Sequence, residues 1–239
     1  MKPKSNRDRL QNLVKVSNEK QIKEAKAFSM GTIGVVIKDS LPEDFDLKKV
    51  FDKILNYVPS SLLELAEIDF VYIGQFEQLE KKMFTASYES GAIYVTNEQN
   101  DEDDMVDDLV HELAHAIEEK LGVDIYGTGD LEIEFLGKRK RLFQILRKEI
   151  DDDITNLAHY FMNVEYDANF DEFLLKDVGY ASLTYMSTGL FVDPYASTSL
   201  REYFATGFEE FFLRDRKYLQ NISPVLYNIV KGIGKKNEL

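Results

Sequence analysis

The chain has 239 residues, a formal net charge of −14 and no cysteine. The negative charge argues against general nucleic-acid binding and against docking on anionic membranes, since both need a positive protein surface. Without cysteine, disulfides and thiolate metal ligands are excluded, so a transition metal would need histidine and carboxylate ligands. Neither a signal peptide nor a membrane-spanning run is evident, which predicts a cytoplasmic protein, released by lysis or in a phage particle if it leaves the cell.

The first half of the chain has the pattern of an α+β lobe. Residues 1–27 are polar and Lys-rich and indicate an N-terminal arm. The elements predicted after it are a strand at 32–38, a helix at 42–58, a strand at 68–74, a hairpin around Glu89-Ser90-Gly91 and a helix from near Asp103. Residues 28–121 therefore predict an N-terminal lobe with a small mixed sheet that ends in this last helix.

Residues 122–239 predict a mainly helical C-terminal lobe. Helices are expected at 151–164, at 199–214 and from Ser223-Pro224, where serine caps the helix and proline takes its first position. Residues 165–194 are ambiguous. The basic run 137–148, GKRKRLFQILRK, predicts a helix that either contacts a partner or, as we prefer, exposes its Lys and Arg side chains to solvent.

The run HELAH carries the candidate chemistry. His111 and His115 are four residues apart, so on a helix their imidazoles share one face and can bind one metal ion. Glu112 is placed to take a proton from metal-bound water instead of binding the metal. The alternative is an acidic surface helix that holds two histidines by chance. A zinc site is favoured because apolar and polar residues fall on opposite sides of this helix.

A catalytic zinc usually has three protein ligands, so a third is needed. His159, the chain's other histidine, has apolar neighbours and is interpreted as a partly buried helix residue. Glu202 and Glu209 share one face of the helix predicted at 199–214. Glu202 also fits a capping box with Ser199, in which it would only satisfy the helix N-terminus. Spacing alone favours Glu202 modestly over Glu209.

A known family is resembled by three features taken together. They are the run VHELAHAIEEKLG, Tyr195 later in the chain, and Glu202 of EYFATGF seven residues after Tyr195. The family comprises the catalytic domain of anthrax lethal factor and its relatives, including the secreted Pro-Pro endopeptidases. The resemblance is strong over about 105–121 and 193–231, and it implies an α+β, zincin-like metallopeptidase fold. The gap between the HELAH run and Glu202 is longer than usual in this family, which implies an insertion at about 122–190 in a standalone or phage-borne member.

The resemblance also implies a role for each matching residue. One catalytic zinc would be bound by His111, His115 and Glu202, with Glu112 activating its water and the Tyr195 hydroxyl helping to hold the developing oxyanion. The sequence therefore predicts a zinc-dependent endopeptidase that acts on a peptide or protein. The alternative is a catalytically silent zinc-binding or structural module, for example of a phage particle, on the same fold.

Two further expectations concern the surroundings of this zinc. The strand at 92–96 is expected to offer an open edge on which an extended substrate lies. Asp108 or Glu119 is expected to orient a ligand histidine, with an exposed helix surface as the equal alternative. No physiological substrate and no oligomeric state is indicated by the sequence.

Overall fold

The computed structural model describes residues 28–150 and 153–236. Within them the chain forms a mixed α+β fold, with a five-stranded sheet in the N-terminal part and helices in the C-terminal part. The arm predicted at 1–27 lies outside the described residues, as do the first two residues of the helix predicted at 151–164. No described helix combines the length and the apolar character needed to cross a bilayer.

The sheet is mixed, as predicted. Its strands are β1 (Phe28–Met30), β2 (Ile33–Ile37), β3 (Phe70–Ile73), β4 (Ala86–Glu89) and β5 (Ala92–Val95). In space they follow the order β1-β2-β3-β5-β4, and the two central pairings, β2 with β3 and β3 with β5, are parallel. The predicted hairpin is confirmed. Ser90 and Gly91 form its loop with φ values of 50° and 84°, and this two-residue conformation matches the twist of antiparallel strands.

The expectation of an open edge at 92–96 is wrong. Strand β5 pairs with β3 on one side and with β4 on the other, so its backbone groups are used within the sheet. In the second arm of the hairpin, every other residue is buried: Ile93 and Val95 face the core. The first arm, β4, is therefore the outer strand in the part of the chain that the structure describes, and it lies beside the HELAH helix.

Ten α-helices occur in the described residues. They are α1 (Leu47–Tyr57), α2 (Ser60–Leu65), α3 (Glu77–Lys82), α4 (Glu102–Tyr126), α5 (Asp130–Glu149), α6 (Ala168–Glu172), α7 (Tyr180–Ser187), α8 (Leu200–Leu213), α9 (Arg216–Ile222) and α10 (Pro224–Lys236). A π-helical turn joins α6 to α7, and a 3-10 turn at Pro194–Ser197 leads into α8. The helices predicted at 199–214 and from Pro224 are confirmed.

Helix α4 carries the HELAH run through the middle of the molecule. Asp101 begins it by accepting hydrogen bonds from the amides of Asp103 and Asp104. Its predicted apolar side is buried against the sheet and α1, in the hydrophobic core that extends into the C-terminal part. The helix continues beyond Gly122 to Tyr126, with non-helical angles at Leu121, because Ile125 is buried in the same core.

The basic helix is exposed to solvent only in part: Lys140, Arg141, Arg147 and Lys148 are exposed, as we preferred, but Lys138 and Arg139 are not. In α5 the side chains of Lys138 and Arg139 are buried. Lys138 donates to the carbonyl oxygens of Leu190 and Ile222, and burial lowers its pKa to about 8. Leu131, Phe135, Leu142 and Leu146 of the same helix enter the core. One side of α5 therefore packs in the interior, and its other side faces solvent.

The helix predicted at 151–164 is wrong for the residues described from 153 onward, and Arg139 binds the end of this segment. The Arg139 guanidinium donates to the carbonyl oxygens of Asn163 and Tyr160, at 2.6 Å and 2.8 Å. These two carbonyl oxygens accept hydrogen bonds from a buried cation, and the backbone around them is not α-helical. From residue 153 onward the segment contains only two short 3-10 turns, Thr155–Leu157 and Tyr160–Met162.

Glu134 of α5 caps the last helix. Its carboxylate accepts hydrogen bonds from the amides of Val225 and Leu226, at 2.9 Å and 3.1 Å, and from the Tyr203 hydroxyl at 2.9 Å. Amide groups in the first turn of a helix have no intrahelical partner, so a carboxylate from elsewhere is stabilising there. Helix α10 thus begins at Pro224 as predicted. The hydrogen-bond acceptor for its first amides comes from α5, which the local sequence does not reveal.

Candidate metal centre

Two imidazoles and one carboxylate converge between α4 and α8. The rings of His111 and His115 lie one helical turn apart, with centroids separated by 5.0 Å. The Oε2 atom of Glu202 is 2.9 Å from Nε2 of His111 and 3.5 Å from Nε2 of His115. One ligand atom from each residue lies within 4.8 Å of the other two, so the three could hold a metal ion.

The donor set fits a metal such as zinc. Zinc takes imidazole nitrogen and carboxylate oxygen at about 2.0–2.2 Å, and in a tetrahedron these bonds put neighbouring ligand atoms about 3.4 Å apart. The two distances from Glu202 to the histidines are already close to that value. Both histidines turn Nε2 toward Glu202 and Nδ1 toward other carboxylates, so one nitrogen of each faces the centre.

The electrostatics of the centre favour positive charge. Burial lowers the pKa of His111, but the carboxylates of Glu202 and Glu209 outweigh burial and raise the pKa to about 10. For Glu202, burial acts to raise the pKa, and the hydrogen bonds and charges of the two imidazoles bring it well below its ordinary range. Negative charge at this position is therefore stable although the side chain is largely buried.

The start of α8 explains how Glu202 reaches the histidines. Ser199 caps the helix and accepts a hydrogen bond from the Glu202 amide at 3.2 Å, which is one half of the predicted capping box. The Glu202 carboxylate does not form the return bond, since it lies against His111 and His115. The cap therefore uses only the backbone amide of Glu202, and the Glu202 carboxylate is free to contact the two histidines.

Glu209, the other carboxylate considered from spacing, lies two turns further along α8. Its Oε2 atom is 3.6 Å from Nδ1 of His111, and its Oε1 atom is 2.5 Å from Nη1 of Arg214. It thus faces the side of the His111 ring opposite to Glu202. The structure brings Glu202 into the group of possible metal ligands and places Glu209 behind one of them.

Glu112 lies beside the three possible ligands, under the edge strand. Its Oε2 atom accepts a hydrogen bond of 2.6 Å from the backbone amide of Tyr88 in β4. Burial raises the pKa of the Glu112 carboxyl group. A cleft of about 460 Å³ opens here, with β4 on one wall, α4 as its floor and α8 on the other wall.

Tyr195 also lines this cleft. It lies in the 3-10 turn before α8, where Asp193 accepts a hydrogen bond from its amide at 2.6 Å. The centroid of its ring is 6.2 Å from that of His111. Burial, together with the charge of Glu202, raises the pKa of Tyr195, so its hydroxyl remains a neutral donor at physiological pH.

The carboxylate expected to orient a ligand histidine is neither Asp108 nor Glu119. Asp108 accepts hydrogen bonds from Thr85 and Gln99 at the mouth of the cleft, and Glu119 is exposed. Glu118 has this position, with Oε2 3.1 Å from Nδ1 of His115. The signal was available in the sequence, because residues three apart on a helix are neighbours.

Glu118 is a well-held anion. Burial acts to raise its pKa, but His115, Tyr126 and Arg201 outweigh burial, and its pKa lies below the ordinary value. The continuation of α4 beyond Gly122 brings Tyr126 into hydrogen-bonding contact with Glu118. A helix that ended at residue 121, as the sequence predicted, would lack this contact.

His159 lies away from the centre. It is exposed, between the two 3-10 turns, where its Nδ1 atom is 2.9 Å from the carbonyl oxygen of Asn156. Its ring packs on Tyr160 with centroids 4.1 Å apart. The prediction of a partly buried helix histidine is wrong in both respects, since the local helix does not form.

Comparisons of the chain with protein-family models, with curated proteins and with solved structures find no match. Function is therefore inferred from the residues of the centre and from the sequence resemblance.

Proposed function

We propose that the protein is a zinc-dependent endopeptidase of the zincin type, similar to the lethal factor group. The observation that carries the proposal is the grouping of His111, His115 and Glu202, with Glu112 beside them, in a cleft bounded by an edge strand. A purely structural metal site needs no acid–base group beside it and no open approach. This centre has both features.

A zinc ion bound at this site would supply Lewis-acid chemistry, by acidifying a water molecule and polarising a carbonyl oxygen. The protein's own contribution begins with Glu112. The hydrogen bond from the Tyr88 amide fixes the orientation of its carboxylate. Glu112 accepts a proton from the attacking water and delivers it to the leaving amine. Tyr195, neutral and on the opposite wall of the cleft, donates its hydroxyl to the oxyanion that develops on the substrate.

Strand β4 provides the surface for an extended substrate. Thr85 and Thr96 form a hydrogen-bonded pair, so by antiparallel alternation the peptide groups of Ala86 point away from β5 and into the cleft. A substrate strand can pair with them as an added strand, a recognition mode that depends on main-chain groups. This arrangement brings a peptide bond over the centre without requiring a particular side chain.

The proposal is tested by measuring metal and turnover on the same sample. We expect about one zinc per folded chain, cleavage of casein or of a peptide library, loss of cleavage when a chelator removes the metal, and recovery on adding zinc. Zinc binding without turnover would favour a catalytically silent module. Absence of zinc binding would remove the basis of the proposal altogether.

Replacing Tyr195 with phenylalanine is expected to lower kcat by roughly 10²–10³, the range for loss of one oxyanion donor, with little change in KM. The ring remains, so zinc content and thermal stability should stay near those of the wild-type protein. Tyr185→Phe is the matched control, since the Tyr185 side chain is 84% exposed. If Tyr195→Phe also keeps its turnover within a few-fold, the hydroxyl has no catalytic role.

A further inference from the structure

Behind His115 lies a buried carboxylate with three partners. Glu118, whose side chain is only 7% exposed, contacts Nδ1 of His115 through its Oε2 atom at 3.1 Å. The same oxygen accepts a hydrogen bond from Nε of Arg201 at 3.0 Å, and Oε1 accepts one from the Tyr126 hydroxyl at 2.6 Å. The carboxylate is thereby fixed on the side of the imidazole that faces away from Glu202.

Behind His111 the same arrangement occurs with different residues. Oε2 of Glu209 is 3.6 Å from Nδ1 of His111, and Oε1 of Glu209 is 2.5 Å from Nη1 of Arg214. The other terminal nitrogen of Arg214 donates to Asp107. Each histidine thus has a carboxylate at Nδ1, and each carboxylate has an arginine that balances its charge.

We infer that Glu118 and Glu209 are positioning residues of the metal centre, acting through His115 and His111. The inference rests on the proposed zinc site. A carboxylate at Nδ1 keeps the proton of a neutral imidazole on that nitrogen, leaves Nε2 free to bind a metal and fixes the plane of the ring. Such groups typically contribute roughly 10–100-fold to metal affinity.

The arginines have a second consequence for the ligand set. Glu209 shares a helix face with Glu202, but it contacts the far side of the His111 ring and lies outside the group of possible ligands. The 2.5 Å contact with Arg214 holds one of its oxygens away from the centre. Arg201 and Tyr126 restrain Glu118 in the same way. The two carboxylates therefore support the histidines without replacing Glu202.

The test is zinc affinity, measured on folded metal-free protein by competition with a chromophoric chelator. Glu118→Gln is expected to weaken binding by roughly 10–100-fold. Glu209→Gln is expected to have a smaller effect in the same direction, because its contact with the imidazole is longer, 3.6 Å against 3.1 Å. The cobalt-substituted forms of both variants should show altered visible absorption, since ligand rings held less firmly change the geometry at the metal.

Glu119→Gln is the matched control. It removes the same charge from the next position of the same helix, where the side chain is exposed, and should leave zinc affinity unchanged. If Glu118 were only a structural residue, Glu118→Gln would lower the unfolding temperature of the metal-free protein while its zinc affinity and cobalt spectrum matched those of the control. That result would overturn the inference.

A second variant covers the case in which Glu118→Gln does not fold. Arg201, whose side chain is 58% exposed, can be replaced by glutamine, which releases Glu118 while leaving it in place. The zinc affinity of Arg201→Gln should lie between those of Glu118→Gln and Glu119→Gln. An affinity equal to that of the Glu119→Gln control would contradict the inference. Failure of the wild-type protein to bind zinc would instead refute the proposed function, and with it the inference.

Discussion

Replacing Glu112 with glutamine is expected to lower peptide hydrolysis by roughly 10²–10⁴, the contribution typical of a positioned proton acceptor. Glutamine has nearly the same shape, and its carbonyl oxygen can still accept the hydrogen bond that the Tyr88 amide donates to Glu112. The amide cannot take a proton from water. Because Glu112 is outside the group of possible ligands, the variant should retain about as much zinc as the wild-type protein, close to one ion per chain.

This result is checked by metal analysis and single-turnover cleavage on the same preparation. Loss of zinc in Glu112→Gln would mean that Glu112 is a ligand, and wild-type rates would mean that it is not the acceptor. Glu119→Gln again serves as the comparison, since it removes one exposed carboxylate two turns further along the same helix. Single-turnover conditions matter because they separate the chemical step from product release.

Replacing Glu202 with glutamine is expected to have the largest effect on the metal. Its carboxylate contacts both imidazoles, at 2.9 Å and 3.5 Å, so the change removes one of three possible ligands and the negative charge that attracts a cation. We expect zinc affinity to fall by more than the roughly 10–100-fold that a supporting carboxylate contributes. Glu209→Gln should still bind the metal, with the smaller loss expected of a positioning residue.

The comparison of these two variants must be made on folded protein. The bond from the Glu202 amide to Ser199 is unaffected by the change, so the cap at the start of α8 should persist. Circular dichroism before metal titration establishes that the helices are retained. The reverse ranking, with Glu209→Gln losing the metal and Glu202→Gln keeping it, would move the third ligand two turns along α8 and remove the match with Tyr195.

Local sequence patterns were sufficient for several parts of this structure. The four-residue spacing of His111 and His115 places two imidazoles on one helix face, and the short runs of β-branched and aromatic residues in β2 and β3 predict strands. Ser199 and Pro224 mark the beginnings of two helices because capping and proline geometry act within a few residues. These features depend on short-range stereochemistry, which a single sequence contains.

Other parts depend on partners that are distant in the chain. Which arm of the hairpin lies outside is decided by the pairing of β5 with β3, some twenty residues earlier. Any local pattern would place Lys138 and Arg139 in solvent, and carbonyl groups from distant parts of the chain make their burial possible. Charged side chains are stable in an interior when such partners satisfy them. Glu118 could have been found from its three-residue spacing to His115, whereas Glu209 meets His111 only because α8 packs against α4.

Helix α5 bears on how the protein would withstand the activity proposed for it. The proposed peptidase activity would expose the chain to cleavage by other copies of itself, and a loop is cut only when it can open and extend into a cleft. The carbonyls of Tyr160, Asn163 and Leu190 are bound by the buried cations of α5, so freeing these loops would remove hydrogen-bond acceptors from those cations. Because losing these hydrogen bonds in the interior is costly, the anchored loops should resist self-digestion. We expect them to be cleaved only after the surrounding helices have unfolded together.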